Sequence, residues 1–95
     1  MYGSTALIWA AIQNHAAIVK QLVDAKANLK AADNEGNTAL HWAAFNGNQA
    51  AVDVLLQAKA DPTALDNVGR TPAKVADERG YPELAKRLRE AEGSL

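Results

Sequence analysis

GNTALHWAA, residues 36–44, has a near copy 33 residues earlier, GSTALIWAA from Gly3, and a divergent one 33 residues later, GRTPAKVAD from Gly69. Residues 36–68 laid on residues 3–35 without a gap share 16 of 33 positions. Gly, Thr, Ala, Leu, Trp and the Ala pair return first, as Gly36, Thr38, Ala39, Leu40, Trp42, Ala43 and Ala44. Further along, Val19, Leu22, Lys26 and Ala27 return as Val52, Leu55, Lys59 and Ala60, and Asp33-Asn34 as Asp66-Asn67. A fixed period of this length is the mark of a stacked repeat architecture.

Each unit can be read locally. Thr38 is placed to cap a helix, since its hydroxyl can accept from an early helical N–H. Thr71 is followed by Pro72, which fits a first helical position because no N–H is needed there. A short alanine-rich helix follows and stops at Gly47, with Asn14 and Gly80 at the equivalent places. QAAVDVLLQA, 49–58, then sets Val52, Leu55 and Leu56 at helical spacing with one face inward. KADPTALDNVG, 59–69, is too polar and broken for a third helix and suits an extended arm with a tight turn at Asp66–Gly69. The spacing predicts first helices near 5–12, 38–45 and 71–78, and second helices near 16–25, 49–58 and 82–91. One such unit cannot bury its own apolar face, whereas stacked units share a continuous core.

The pattern G-x-T-A-L-H-x-A-A…G…V-x-x-L-L-x-x-x-A-D with period 33 resembles the ankyrin repeat. It is sharpest over Gly36–Ala60 and weaker after Gly69. The resemblance implies an all-α solenoid of stacked helix pairs joined by hairpin-like loops, or fingers. It also implies a concave surface, lined by fingers and first helices, that receives a protein partner. Residues 1–95 are then expected to form a single domain of repeats at about 3–35, 36–68 and 69–95, the last a divergent C-terminal cap.

Three departures carry information. Lys26 and Lys59 stand where the family has glycine at the end of the second helix. A left-handed residue there would cost a lysine something like 1 kcal/mol. The alternative reading is two surface lysines suited to the dipole of a helix C-terminus. Ile8 replaces the motif histidine, which the resemblance assigns a structural bond to the next finger, and no complete finger precedes Gly3. Either repeats once preceded it or this apolar N-terminal face meets another chain, so weak self-association through that face is one expectation. At the other end Lys74, Asp77 and Arg89 replace His41, Ala44 and Leu56, a polar face on which nothing further stacks.

Chemistry is sparse. With no cysteine, disulfide scaffolds, thiolate zinc sites and a Cys–His nucleophile are excluded. His41 reads as a structural histidine and His15 as a local bonder between helices, too far apart in a linear stack to share a metal. Asp33 and Asp66 read as turn residues bonding their own backbone rather than as a carboxylate pair. The serines and threonines show no base–orienter arrangement, and no glycine-rich phosphate cradle occurs. No catalytic residue, metal or cofactor is expected.

The formal charge of -1 argues against nucleic acid. The basic run at 86–89 is flanked by Glu83, Glu90 and Glu92, so a solvated helix face accounts for it. No window approaches the roughly 20 apolar residues of a membrane helix, and the start of the chain lacks the basic region of a signal peptide. A cytoplasmic or otherwise intracellular chain is the default expectation.

What is left is a protein-interaction module, or alternatively a structural or regulatory spacer of a larger protein whose catalytic part is absent. For the module, the candidate groove is Ile12, Gln13, Phe45 and Asn46, at repeat-equivalent positions. The candidate tips are Asn34, Glu35, Asn67 and Val68. Phe45 is either an exposed anchor or a ring folded against Trp42. Trp9 and Trp42 are expected to pack in the core.

Overall fold

The computed structural model describes the backbone of residues 2–94 and the side chains of residues 6–94. The candidate roles of Ser4 and Thr5 fall outside the described side chains. Six helices follow one another: α1 (Tyr2–Ile12), α2 (Ala16–Asp24), α3 (Ala39–Phe45), α4 (Gln49–Gln57), α5 (Pro72–Glu78) and α6 (Pro82–Gly93). No strand occurs among the described residues. The first helices pack side by side, α3 between α1 and α5, while α4 lies on α2 and α3 and α6 lies on α5. The chain is therefore an all-α stack of three helix pairs.

The helix ends follow the chemistry of the repeat. Thr38 is extended and its hydroxyl accepts from the His41 N–H at 3.3 Å. Thr71 does the same for Lys74, with Pro72 opening α5. The first helix α1 begins at Tyr2, three residues earlier than the spacing predicts.

The first helices end on Asn14, Gly47 and Gly80, at φ of 58°, 67° and 85°. The second helices α2 and α4 end on Lys26 and Lys59, at φ of 71° and 72°. Lys26 N–H donates to Val23 and Ala27 N–H to Leu22; Lys59 and Ala60 repeat the pair with Leu56 and Leu55. These paired bonds close a helix with a left-handed residue where glycine is usual. Both lysines are left-handed, as the family position implies.

One apolar core runs through all three pairs. Leu7, Leu40, Leu55 and Leu88 are almost fully buried, with Val19, Val52 and Ala85, and alanines 10, 11, 43, 44 and 76 let the first helices approach closely. The middle pair is the most enclosed: five of the seven residues of α3 are buried, against Val19 alone in α2. On the far side of α6, Arg89 pairs with Asp77, so the outer face of the last pair is polar. Arg87 reaches back to Asp53 of α4 at 2.5 Å.

Trp9 departs from its expected core position: it is 51% exposed, with its ring 5.3 Å from His15. Trp42 is half-buried because its indole N–H donates to Asp33 of the finger before it, at 2.8 Å. Trp9 makes no such bond among the described residues. His15 likewise makes no cap bond with its side chain and lies against Trp9 instead.

Candidate functional site

The two fingers are built around Asp33 and Asp66. Asp33 Oδ1 accepts from the N–H groups of Glu35 and Asn37 at 2.9 and 3.0 Å. Asp66 Oδ1 accepts from those of Val68 and Arg70 at 3.1 and 2.8 Å. Each finger closes through a backbone bond, Asp33 N–H to Asn37 and Asp66 N–H to Arg70, both 3.0 Å. The carboxylates thus act as turn residues for their own backbone, as the sequence implies.

Burial pushes both carboxyls up, but the donors outweigh it. Asn37, the Trp42 indole and Glu35 hold Asp33 below its ordinary 3.8. The Arg70 backbone N–H and guanidinium, with the Val68 N–H, do so for Asp66.

Side chains from the helices brace the fingers. His41 Nε2 lies 2.8 Å from the Arg70 carbonyl, which can only accept, so Nε2 carries the proton. Nδ1 then faces the Thr38 N–H at 3.2 Å and the Thr38 hydroxyl at 2.9 Å. His41 therefore ties α3 to the second finger, the structural role the motif implies. Arg70 donates from Nε to Asp66 at 2.8 Å and from NH1 to Glu78 at 3.0 Å, joining the second finger to the end of α5. These two carboxylates hold its guanidinium above its ordinary value.

Adjacent fingers are stitched together. Asn67 N–H donates to the Glu35 carbonyl, and its side-chain amide to the Asn34 carbonyl, both at 3.0 Å. Glu35, Asn67 and Val68 line one cleft of about 280 Å3 with Asn37, Asp66 and Arg70. All four candidate tip residues are exposed. Asn67, however, has both its backbone and side-chain donors bound to the first finger.

The groove candidates sit at the ends of the first helices. Ile12 and Phe45 are half-buried, Gln13 and Asn46 exposed. Asn46 donates to the Ile12 carbonyl at 3.2 Å. Phe45 meets Trp42 edge to face at 5.4 Å and packs against the core. The Arg79 guanidinium lies over its ring at 4.3 Å. The chain of contacts from Asp33 through Trp42 to Phe45 joins the tips to the groove.

Sequence reasoning missed Arg79, Glu78 and Leu65. Arg79 and Glu78 lie 33 residues beyond Asn46 and Phe45, so the repeat offset alone could have found them. Leu65 is 62% exposed on the second finger, near Val68 at 74%. A second recess of about 230 Å3, between Leu29–Lys30 and Ala60–Asp61, had no signal in the sequence.

Among the described residues no group of three or more His, Cys, Asp or Glu could hold a metal ion. No helix among them is long and apolar enough to cross a membrane. No curated protein matches the chain. The family described as ankyrin repeats (3 copies) matches residues 2–66. That match covers more than half of the chain, and the helix pair beyond Asp66 repeats the same caps and turns. The chain therefore belongs to the ankyrin-repeat family, a scaffold that mediates protein–protein contacts and carries out no catalysis of its own.

Proposed function

We propose that residues 1–95 act as one interaction domain whose groove, Ile12, Gln13, Phe45 and Asn46, and finger tips, Asn34, Glu35, Asn67 and Val68, receive a protein or peptide. One observation carries this reading. The stack leaves Leu65 and Val68 in solvent on a finger whose own bonds do not use their side chains. Trp9, Trp42 and Phe45 add aromatic surface along the first helices. Apolar and aromatic side chains on a rigid, polar-rimmed surface are the usual anchors of a protein contact.

The charges favour protein over nucleic acid. The formal net charge is -1, and Arg70, Arg87 and Arg89 are all paired with carboxylates, so no excess of positive charge is available to phosphates. The part-exposed Trp9 and Ile18 at the N-terminal face support weak self-association as a second property.

The test compares affinity capture by the wild-type domain, Val68→Asp, Phe45→Ala and Lys20→Ala, the last an exposed change on the second-helix layer. The groove and tip variants should lose a captured protein at least tenfold, about 1.4 kcal/mol, with Lys20→Ala unchanged. Equal capture by all four refutes the site. Phe45→Ala also removes core contact, so its affinity is counted per folded molecule.

A further inference from the structure

Beside the second finger lies a slot of known shape. Gly36, at φ 79°, lies beneath the second finger: a Cβ there would stand 2.5 Å from Asn67 Oδ1, 2.8 Å from Asn67 N and 3.1 Å from Asp66 Cα. Gly69 has nearly the same backbone, φ 83°, and a Cβ there would meet nothing within 4 Å. The space that a finger fills over Gly36 is open over Gly69.

The polar groups repeat in the same way. The carbonyls of Asn34 and Glu35 accept from the side chain and backbone of Asn67. Their equivalents 33 residues on, the carbonyls of Asn67 and Val68, accept no bond among the described residues. Beside them stand the exposed Leu65 and Val68. This edge therefore offers two acceptors, room for backbone, and apolar contact.

The helices beneath present a polar surface, a poor seat for another repeat. The outer face of α5 and α6 carries exposed Lys74 and the Asp77–Arg89 pair where the inner repeats present His41, Ala44 and Leu56. A second copy of the chain placing its first finger in the slot would bring its own first helix pair onto α5 and α6, which already fill that layer. The occupant has to be a segment with no globule directly under it.

We propose that this edge binds an extended, asparagine-bearing segment of a protein partner. Its asparagine donates backbone N–H to the Val68 carbonyl and side-chain amide to the Asn67 carbonyl, and a neighbouring apolar side chain covers Leu65 and Val68. The interaction continues the finger-to-finger bonding by one step, as strand addition continues a sheet edge. It rests on the reading that the finger tips bind protein and specifies how one end of them does so.

The probe is a synthetic peptide of the second finger itself, acetyl-ALDNVGR-amide (residues 64–70), titrated into the full chain and followed by amide NMR shifts. The expected result is saturable, millimolar binding with shifts centred on Asn67–Arg70. N-methylation of the peptide's asparagine amide should weaken it about tenfold, and Gly69→Asn, which tolerates positive φ but puts a Cβ in the slot, should abolish it. Lys20→Ala, outside both groove and fingers, should bind the peptide normally. Loss of partner capture with F45A tests the groove, and loss of peptide with G69N tests the slot, so the two readings can fail separately.

No saturable shift at the second finger up to about 10 mM peptide, or equal binding of the N-methylated peptide, overturns the proposal. Should Gly69→Asn not fold, the N-methylated peptide decides alone. Concentration-dependent shifts at Gly69 without peptide would place a second copy in the slot and also overturn it.

Discussion

Lys26 and Lys59 hold left-handed backbone at the same point of two repeats, and their long side chains are exposed. A Cβ makes that conformation unfavourable, while glycine adopts it freely but gains entropy when unfolded. The first effect outweighs the second where φ is positive. Lys26→Gly and Lys59→Gly should each stabilise the chain by about 0.5–1 kcal/mol, read as a higher urea midpoint at unchanged slope. A lower midpoint would mean the lysine stems contribute packing that outweighs the backbone strain.

Asp33 and Asp66 make a second prediction at this scale. Each is held below its ordinary 3.8 in the fold. Their contribution to stability is complete above about pH 4 and is lost as pH falls through the lower folded values. Urea midpoints should be flat from about pH 7 to 5 in this respect and drop steeply below 4. Asp66→Ala, which leaves the Val68 and Arg70 N–H groups without their acceptor, should cost about 1–3 kcal/mol at neutral pH and shorten that acid limb. An unchanged limb would assign the acid loss to other carboxylates.

At the scale of elements, fingers and helices stabilise each other through few bonds. His41 joins the start of α3 to the second finger, and its substitution by Leu removes acceptor and donor from buried partners at once. His41→Leu should cost about 1–3 kcal/mol and speed amide exchange in residues 66–70 while α1 and α2 keep their protection. Equal loss everywhere would make His41 a general packing residue. The helix pairs and turns were legible in the sequence because their signals are local and repeated: Thr38 before the alanine run, Gly47 after it, Asp66-Asn67 ahead of Gly69.

The eight candidate site positions could be named from the repeat offset, but their surroundings could not. Phe45 gains Arg79 from the next repeat, Trp42 gains Asp33 from the previous finger, and Asn67 binds the finger before it. Each is a contact between units, and a pattern within one unit does not contain it. Trp9 shows the consequence: the same residue in the same register as Trp42 is half-exposed and lies against His15, a neighbour from its own unit.

Across the whole molecule the stack is unequal. The middle pair is enclosed on both sides, with Ala39, Leu40, His41, Ala43 and Ala44 buried in α3 and Ala51, Val52 and Leu55 in α4. The first pair has a neighbour on one side only; α2 buries Val19 alone, and Trp9 and Ile18 are part-exposed. In a one-dimensional stack, stability is the sum of unit terms and nearest-neighbour contacts, so an outer unit with one interface opens first. The third pair also has one interface, but it buries Leu84, Ala85 and Leu88 and closes its outer side with the Asp77–Arg89 pair. Native-state exchange should therefore be fastest in residues 6–24, slowest in 39–57 and intermediate in 72–92, at concentrations where the chain is monomeric. Leu55→Ala removes a side chain from the central pair and should lower stability by about 2–5 kcal/mol, with protection falling in all three pairs together. Leu22→Ala, on the half-buried face of α2, should loosen the first pair far more than the others. If Leu22→Ala instead lowers protection uniformly, the three pairs open as one unit, and the partly exposed N-terminal face is not the weak end of the stack.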